Sequence, residues 1–293
     1  MLTYLQAIVL GVLQGVTELV PVSSLGHSVI LPQLLGWTDV VAAQSATESY
    51  FLAFLVGLHV ATALALLVFY RATWARILAG LLASLRSRRT DTPDQRLAWL
   101  LIVATIPAGV AGLLLEHTLR VVFARPLAAA CFLVVNGLLL LFGEWVCRRA
   151  EVRKVVAAHA TTAAGDRRLD TLDFREAGTV GVAQVFALLP GISRSGITMV
   201  TGLARGLDHE DAARFSFLLA TPIILAAGLY KLPDLLGPNG DGVRPQILVG
   251  SIAAGIAAYL SVRFLSRWFQ RRTLLPFAVY SLVVGMLAVV RFL

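Results

Sequence analysis

Phe51-Leu-Ala-Phe-Leu-Val-Gly-Leu-His-Val-Ala-Thr-Ala-Leu-Ala-Leu-Leu-Val-Phe69 contains no Asp, Glu, Lys or Arg. Wound as a helix at about 1.5 Å per residue it reaches roughly 28 Å, close to the ~30 Å hydrocarbon core of a bilayer. Comparable runs lie at residues 97–115, 127–142, 247–262 and 274–290. Of the 293 residues 58% are hydrophobic and 14% charged, and the mean hydropathy is +0.79. A soluble domain, a single span and a signal peptide are all excluded by that distribution. The chain reads as an all-α membrane protein.

The net charge of +8 does not indicate nucleic acid, because the basic residues sit in short clusters between apolar runs. Links fall at residues 71–96, 116–126, 148–176, 205–214, 231–245 and 263–272. The first, third, fourth and last of these hold nineteen of the 25 lysines and arginines, which assigns them to the cytoplasm. The chain then makes three crossings after Phe51, a cytoplasmic loop at 148–176, and three more crossings. Segments 1–37 and 177–206 must each begin and end on one side, so they read as re-entrant hairpins entering from opposite faces. Gly11-Val-Leu-Gln14 with Pro21 and Ser23-Ser24 is echoed by Gly181-Val-Ala-Gln184 with Pro190 and Ser193-Arg194-Ser195. The expected architecture is one membrane domain, 1–293, built as an inverted-topology repeat. Repeat 1 covers about 1–147 and repeat 2 about 177–293, each a re-entrant helical hairpin plus three transmembrane helices.

Polar residues are concentrated in the two hairpins. Gln14 and Glu18 are four residues apart, on one helix face, before Pro21 breaks the helix. A carboxylate within apolar sequence marks a partner or a wet cavity. Ser23 or Ser24 can cap a new helix whose first turn holds His27, a residue able to move a proton near neutral pH. In the second hairpin, Pro190-Gly191-Ile-Ser193-Arg194-Ser195-Gly196-Ile-Thr198 restarts a helix beside an arginine and three hydroxyls. Helix N-termini and guanidinium groups both favour phosphate. The competing reading of Arg194 is an ion pair with Glu18. Thr62 and Asn136 say little, His59 reads first as a helix-packing hydrogen bond with lining of the site as the alternative, and His209-Glu210-Asp211 reads as the start of a helix. Cys131 and Cys147 have no third ligand nearby and are assigned to packing.

These residues resemble the undecaprenyl-diphosphate phosphatases, the bacitracin-resistance membrane phosphatases, over nearly the whole chain. The resemblance rests on Gln14-x-x-x-Glu18 with Pro21-Val-Ser23-Ser24-x-Gly26-His27, on Pro190 to Thr198, and on Ala213-Arg-Phe-Ser-Phe-Leu-Leu-Ala-Thr-Pro222. It departs in having Gln14 where many members have Glu, Leu25 where many have Thr, and Ala61 where Gly is common. Gln14 therefore cannot act as a base, and positions instead. The resemblance implies release of phosphate from undecaprenyl diphosphate at the outer face of a bacterial plasma membrane. That reaction regenerates the monophosphate carrier for cell-wall synthesis and confers bacitracin resistance. It implies Glu18, Ser24, His27 and Arg194 as catalytic residues and Gln14, Ser23, Ser193, Ser195 and Thr198 as further substrate contacts. Ser24, His27 and a water activated by Glu18 all remain open as the nucleophile. A divalent cation, Mg²⁺ or Ca²⁺, is expected to bridge Glu18 and the diphosphate. The alternative function is a transporter or flippase of a phosphorylated lipid. Ser24-Leu-Gly-His27 is also similar to a motif of type-2 phosphatidic acid phosphatases, but no matching histidine follows Ser193-Arg194.

Overall fold

A computed structural model describes residues 2–45, 50–123, 125–158, 169–231, 233, 237 and 241–293. Among the described residues twelve helices follow in order: α1 (Tyr4–Thr17), α2 (Ser24–Leu34), α3 (Thr38–Ser45), α4 (Tyr50–Phe69), α5 (Arg71–Ser87), α6 (Pro93–Phe123), α7 (Pro126–Ala158), α8 (Phe174–Ala183), α9 (Arg194–Ala204), α10 (His209–Tyr230), α11 (Arg244–Trp268) and α12 (Leu275–Phe292). No strand occurs among the described residues. Among the described residues six helices are long and apolar enough to cross a membrane, namely α4, α6, α7, α10, α11 and α12. The expected runs fall within them, save that the run at 274–290 begins on Leu274, the residue before α12.

Local chemistry sets the helix starts. Thr3 and Gln6 form a capping box at α1, and Asp173 and Glu176 form one at α8. Asp208 caps α10 by accepting from the Asp211 N–H, with the acids of its first turn where the His209 cluster predicts them. Three boundaries differ from the sequence reading. The link at 71–96 contains α5, whose Ile77, Gly80 and Ser84 are buried, with Ser84 accepting a 2.9 Å hydrogen bond from the Trp99 indole of α6. The link at 116–126 is mostly helix, since α6 runs through Phe123, and α7 continues into the stretch read as a loop, as far as Ala158. Helix propagation adds one backbone bond per residue, so a mixed-charge stretch extends a helix that packing has already nucleated. Residues 159–168 of the loop, and 238–240 of the Gly-Pro-Asn-Gly-Asp-Gly turn at 237–242, lie outside the described residues.

Packing follows the small residues. α1 lies along α11, where a Cβ on Gly11 would strike the Gly250 carbonyl. α8 lies along α6, where a Cβ on Gly181 would stand 2.6 Å from the Ala104 carbonyl. α7 packs on α12 and on α9, while α4 packs on α11 and α10. Leu66, Leu100, Phe215, Phe217 and Leu265 form the centre of the largest core. Leu114, Ile256, Met286 and Val290 are exposed on the outer helix faces, as expected where lipid rather than water is the solvent.

Candidate active site

Both short helix pairs break at a proline, and the breaks meet. α1 ends at Thr17, the chain turns through Pro21, and α2 begins at Ser24. α8 passes into a 3₁₀ turn at Gln184–Leu188, turns at Pro190-Gly191, and restarts as α9 at Arg194. Ser23 caps α2 by accepting from the Gly26 N–H at 3.3 Å, and Ser193 caps α9 by accepting from the Gly196 N–H at 3.1 Å. Ser24 and Arg194 thus occupy the same first position of their helices.

Both side chains reach Glu18. Arg194 Nη2 donates to Glu18 Oε1 at 2.6 Å. Ser24 Oγ donates to Glu18 Oε2 at 2.5 Å, and Gln14 Nε2 donates to the same oxygen at 3.1 Å. Glu18 is 8% exposed and the Arg194 side chain 15%, so the pair is largely withdrawn from solvent. Burial of a lone carboxylate costs several kcal/mol, and here a guanidinium, a hydroxyl and an amide offset it. The ion pair that competed with a phosphate role for Arg194 is therefore present. It engages one Arg194 nitrogen of the guanidinium's five N–H donors' framework, leaving donors for a second anion.

The two breaks are joined at further points. The Gly191 N–H donates to Ser23 Oγ at 3.1 Å, and Ser195 Oγ donates to the Val20 carbonyl at 3.4 Å. Gly191 has a φ of 105°, a conformation glycine adopts without strain, and a Cβ there would strike the Ala129 carbonyl of α7. Asn136 of α7, 1% exposed, spans both breaks. Its Nδ2 donates to the Pro21 carbonyl at 3.0 Å, and its Oδ1 accepts the Ser193 N–H at 2.9 Å.

Sequence reasoning left Asn136 without a role; the structure places it between the motifs. An amide inside an apolar run is costly enough that its cost was the available signal. His59 also belongs here, with Nε2 3.6 Å from Glu18 Oε2 and Nδ1 2.8 Å from its own helix's Leu55 carbonyl.

His27 lies in the first turn of α2, as expected. Its Nδ1 is 2.7 Å from the Ser23 carbonyl, which only accepts, so Nδ1 carries the proton. Nε2 of the neutral ring then accepts from the Tyr280 hydroxyl at 3.0 Å, and the rings stack at 5.7 Å between centroids. Nothing in the sequence near Tyr280 distinguishes it from an interfacial tyrosine.

The remaining predicted contacts are engaged within the protein. Ser193 and Ser195 hydroxyls are 2.9 Å apart, and Thr198 Oγ1 donates to the Arg194 carbonyl at 2.8 Å. The first-turn N–H groups of Arg194 and Ser195 have no intrahelical acceptor and remain suited to an anion. Gln14 Oε1 is buried and has no hydrogen-bond partner. No cluster of three or more His, Cys, Asp or Glu side chains able to hold a metal occurs among the described residues.

Fold and site together define a polytopic helical membrane protein with a buried carboxylate, hydroxyl and guanidinium centre. Residues 7–287 match the family described as bacitracin resistance protein BacA, and the chain belongs to that family. It is 54% identical to undecaprenyl-diphosphatase 2 of Frankia alni, over 99% of this chain and 98% of that protein. Identity is 56% to the undecaprenyl-diphosphatase of Mycolicibacterium paratuberculosis, over 97% and 95%. It is 44% to undecaprenyl-diphosphatase 2 of Chromobacterium violaceum, over 96% of each.

Proposed function

We propose that this chain is an integral membrane phosphatase that hydrolyses undecaprenyl diphosphate to undecaprenyl phosphate and inorganic phosphate. By that reaction it recycles the lipid carrier for cell-wall synthesis in a bacterial plasma membrane and confers resistance to bacitracin. The observation that carries the mechanism is a single carboxylate, Glu18, bonded to both Ser24 and Arg194. Ser24 Oγ bonds to the terminal phosphorus while its proton passes to Glu18 Oε2. The bond from phosphorus to the bridging oxygen breaks, and undecaprenyl phosphate leaves. Water then attacks the phosphoserine, Glu18 returns the proton it took to the departing Ser24 oxygen, and the water leaves with both its hydrogens as part of the released phosphate. Free Arg194 donors and the N–H groups opening α9 hold the equatorial oxygens, where charge stabilisation matters most. Ser24 is favoured over His27 as nucleophile because both His27 nitrogens are engaged. Ser23, Ser193, Ser195 and Thr198 act chiefly by holding the two turns in register.

The donors present fit a divalent cation only in part. Glu18 and the unpartnered Gln14 Oε1 are hard oxygen ligands, and the phosphates would complete the shell. Mg²⁺ or Ca²⁺ so held would neutralise phosphate charge.

The architecture supporting this chemistry is an inverted repeat, with α1–α2 and α8–α9 as re-entrant hairpins. Each pair precedes three long apolar helices, α4, α6 and α7 or α10, α11 and α12. In support, α1 packs on α11 as α8 packs on α6, while α4 packs on its counterpart α10 and α7 on its counterpart α12. A two-fold relation requires that exchange and those self-pairings. The site would open to the outer face. The same plan suits a flippase, yet transport alone needs no serine bonded to a carboxylate.

The test is phosphate release from a C55 polyprenyl diphosphate by purified protein in detergent, with and without a chelator. Wild type should turn over and Glu18→Ala, Ser24→Ala and Arg194→Ala should not. Absence of release by wild type defeats the phosphatase reading, and full turnover by Ser24→Ala defeats the serine mechanism.

A further inference from the structure

Away from the site, α11 ends in an arrangement that the phosphatase reaction does not use. Leu248, Ile252, Ile256, Leu260 and Phe264 recur every fourth residue and are each 54–62% exposed. They form an apolar track of roughly 24 Å at helical rise, longer than the ~15 Å that the chains of one leaflet span. The track runs into Arg263, Arg267, Arg271 and Arg272, all exposed. A cavity of about 470 Å³ lies here, lined by Leu260, Phe264, Trp268 and the four arginines. Among the described residues no carboxylate is paired with any of the four. Arg272 instead lies over the Trp268 ring, 5.8 Å from its centroid.

Arg271 and Arg272 also border a pocket with Glu144, Asp208 and Glu210, but among the described residues none of the four guanidinium groups is within ion-pair distance of a carboxylate. Four such groups beside a tryptophan, at the end of an apolar stripe, match one kind of ligand. Phosphodiester oxygens accept paired N–H donors, the indole suits the headgroup level, and the stripe gives acyl chains a surface. A free phosphate would leave the apolar part of the cavity unused. We infer that this end of α11 is a binding site for an anionic glycerophospholipid of the phosphatidylglycerol type in the cytoplasmic leaflet. The site is separate from the Glu18 centre and does not depend on the chemistry proposed there.

The test is native mass spectrometry of the full chain taken from phosphatidylcholine nanodiscs doped with phosphatidylglycerol. Wild type should retain phosphatidylglycerol selectively. Arg267→Ala/Arg271→Ala should retain less by about fivefold per arginine removed. Arg86→Ala/Arg89→Ala removes equal charge from the other basic stretch and should retain wild-type amounts. Equal loss from both double variants, or loss from neither, overturns the site. Displacement of the lipid by inorganic phosphate at physiological concentration overturns the lipid assignment in favour of a free anion. Arg267→Gln alone keeps the test decisive if the double variant melts early: retention equal to wild type then overturns the proposal.

Discussion

Glu18 has two functions that mutation can separate, because it is both one partner of a buried ion pair and the proposed acceptor of the Ser24 proton. Arg194→Ala leaves that carboxylate buried and unpaired, so it should lower stability by about 3–5 kcal/mol as well as abolish turnover. The paired change Glu18→Gln/Arg194→Met removes both charges and should recover most of the lost melting temperature in detergent without recovering phosphate release. Recovery of both would make the pair merely structural. Arg194→Lys keeps a charge but loses the planar fork, and should reduce kcat by about 10²–10³-fold. Tyr280→Phe deletes the hydroxyl that donates to His27 Nε2. It should cost about 1 kcal/mol of stability. Turnover that falls as far as in Ser24→Ala would instead assign His27 and Tyr280 to the chemistry.

At the scale of elements, the site depends on two interrupted helices being held break to break. Asn136 on α7 performs this by bonding the Pro21 carbonyl and the Ser193 N–H at once. Asn136→Ala orphans both, and each unsatisfied buried group should cost about 1–3 kcal/mol. Steady-state kinetics on the folded fraction should show kcat falling with little change in KM, since the hairpins would misalign without losing the phosphate donors. Asn136→Asp keeps an acceptor for Ser193 but loses the donor to Pro21, and should fall between the two. A KM effect alone would place Asn136 in substrate binding instead. The break at 17–23 was legible from Pro21 and the serine after it, because turn chemistry is local. Helix α5 was not, since the arginines spread through residues 71–96 made the stretch read as a basic link, and the face that it buries is defined only once α6 is beside it.

For the whole molecule, the proposed inverted arrangement makes opposite accessibility predictions for two exposed positions, Arg175 in the first turn of α8 and Asp241 before α11. With Cys131 and Cys147 replaced by alanine, a cysteine at 241 should react with a membrane-impermeant maleimide on intact cells. A cysteine at 175 should react only after permeabilisation. Labelling of both from outside would leave no room for hairpins entering from opposite faces. The same charge distribution from which this orientation is proposed assigns the α11 arginines to the inner surface, where anionic lipid is available to them.

The sequence by itself determined the solvent of this protein, the six long apolar helices and the two polar motifs. Hydropathy over twenty residues and turn chemistry over ten are properties of contiguous chain, and neither needs a partner. Only the tertiary structure decided that Ser24 and Arg194, 170 positions apart in the chain, converge on one carboxylate. It alone drew Asn136 and Tyr280 into the same region, and it decided between the two readings of His59. A lone polar residue in an apolar helix reads the same whether it bonds its own backbone, a neighbouring helix or a catalytic group. Which of these it does is fixed by the side chain that packing brings within 3 Å, and that distance is set by helices remote in sequence.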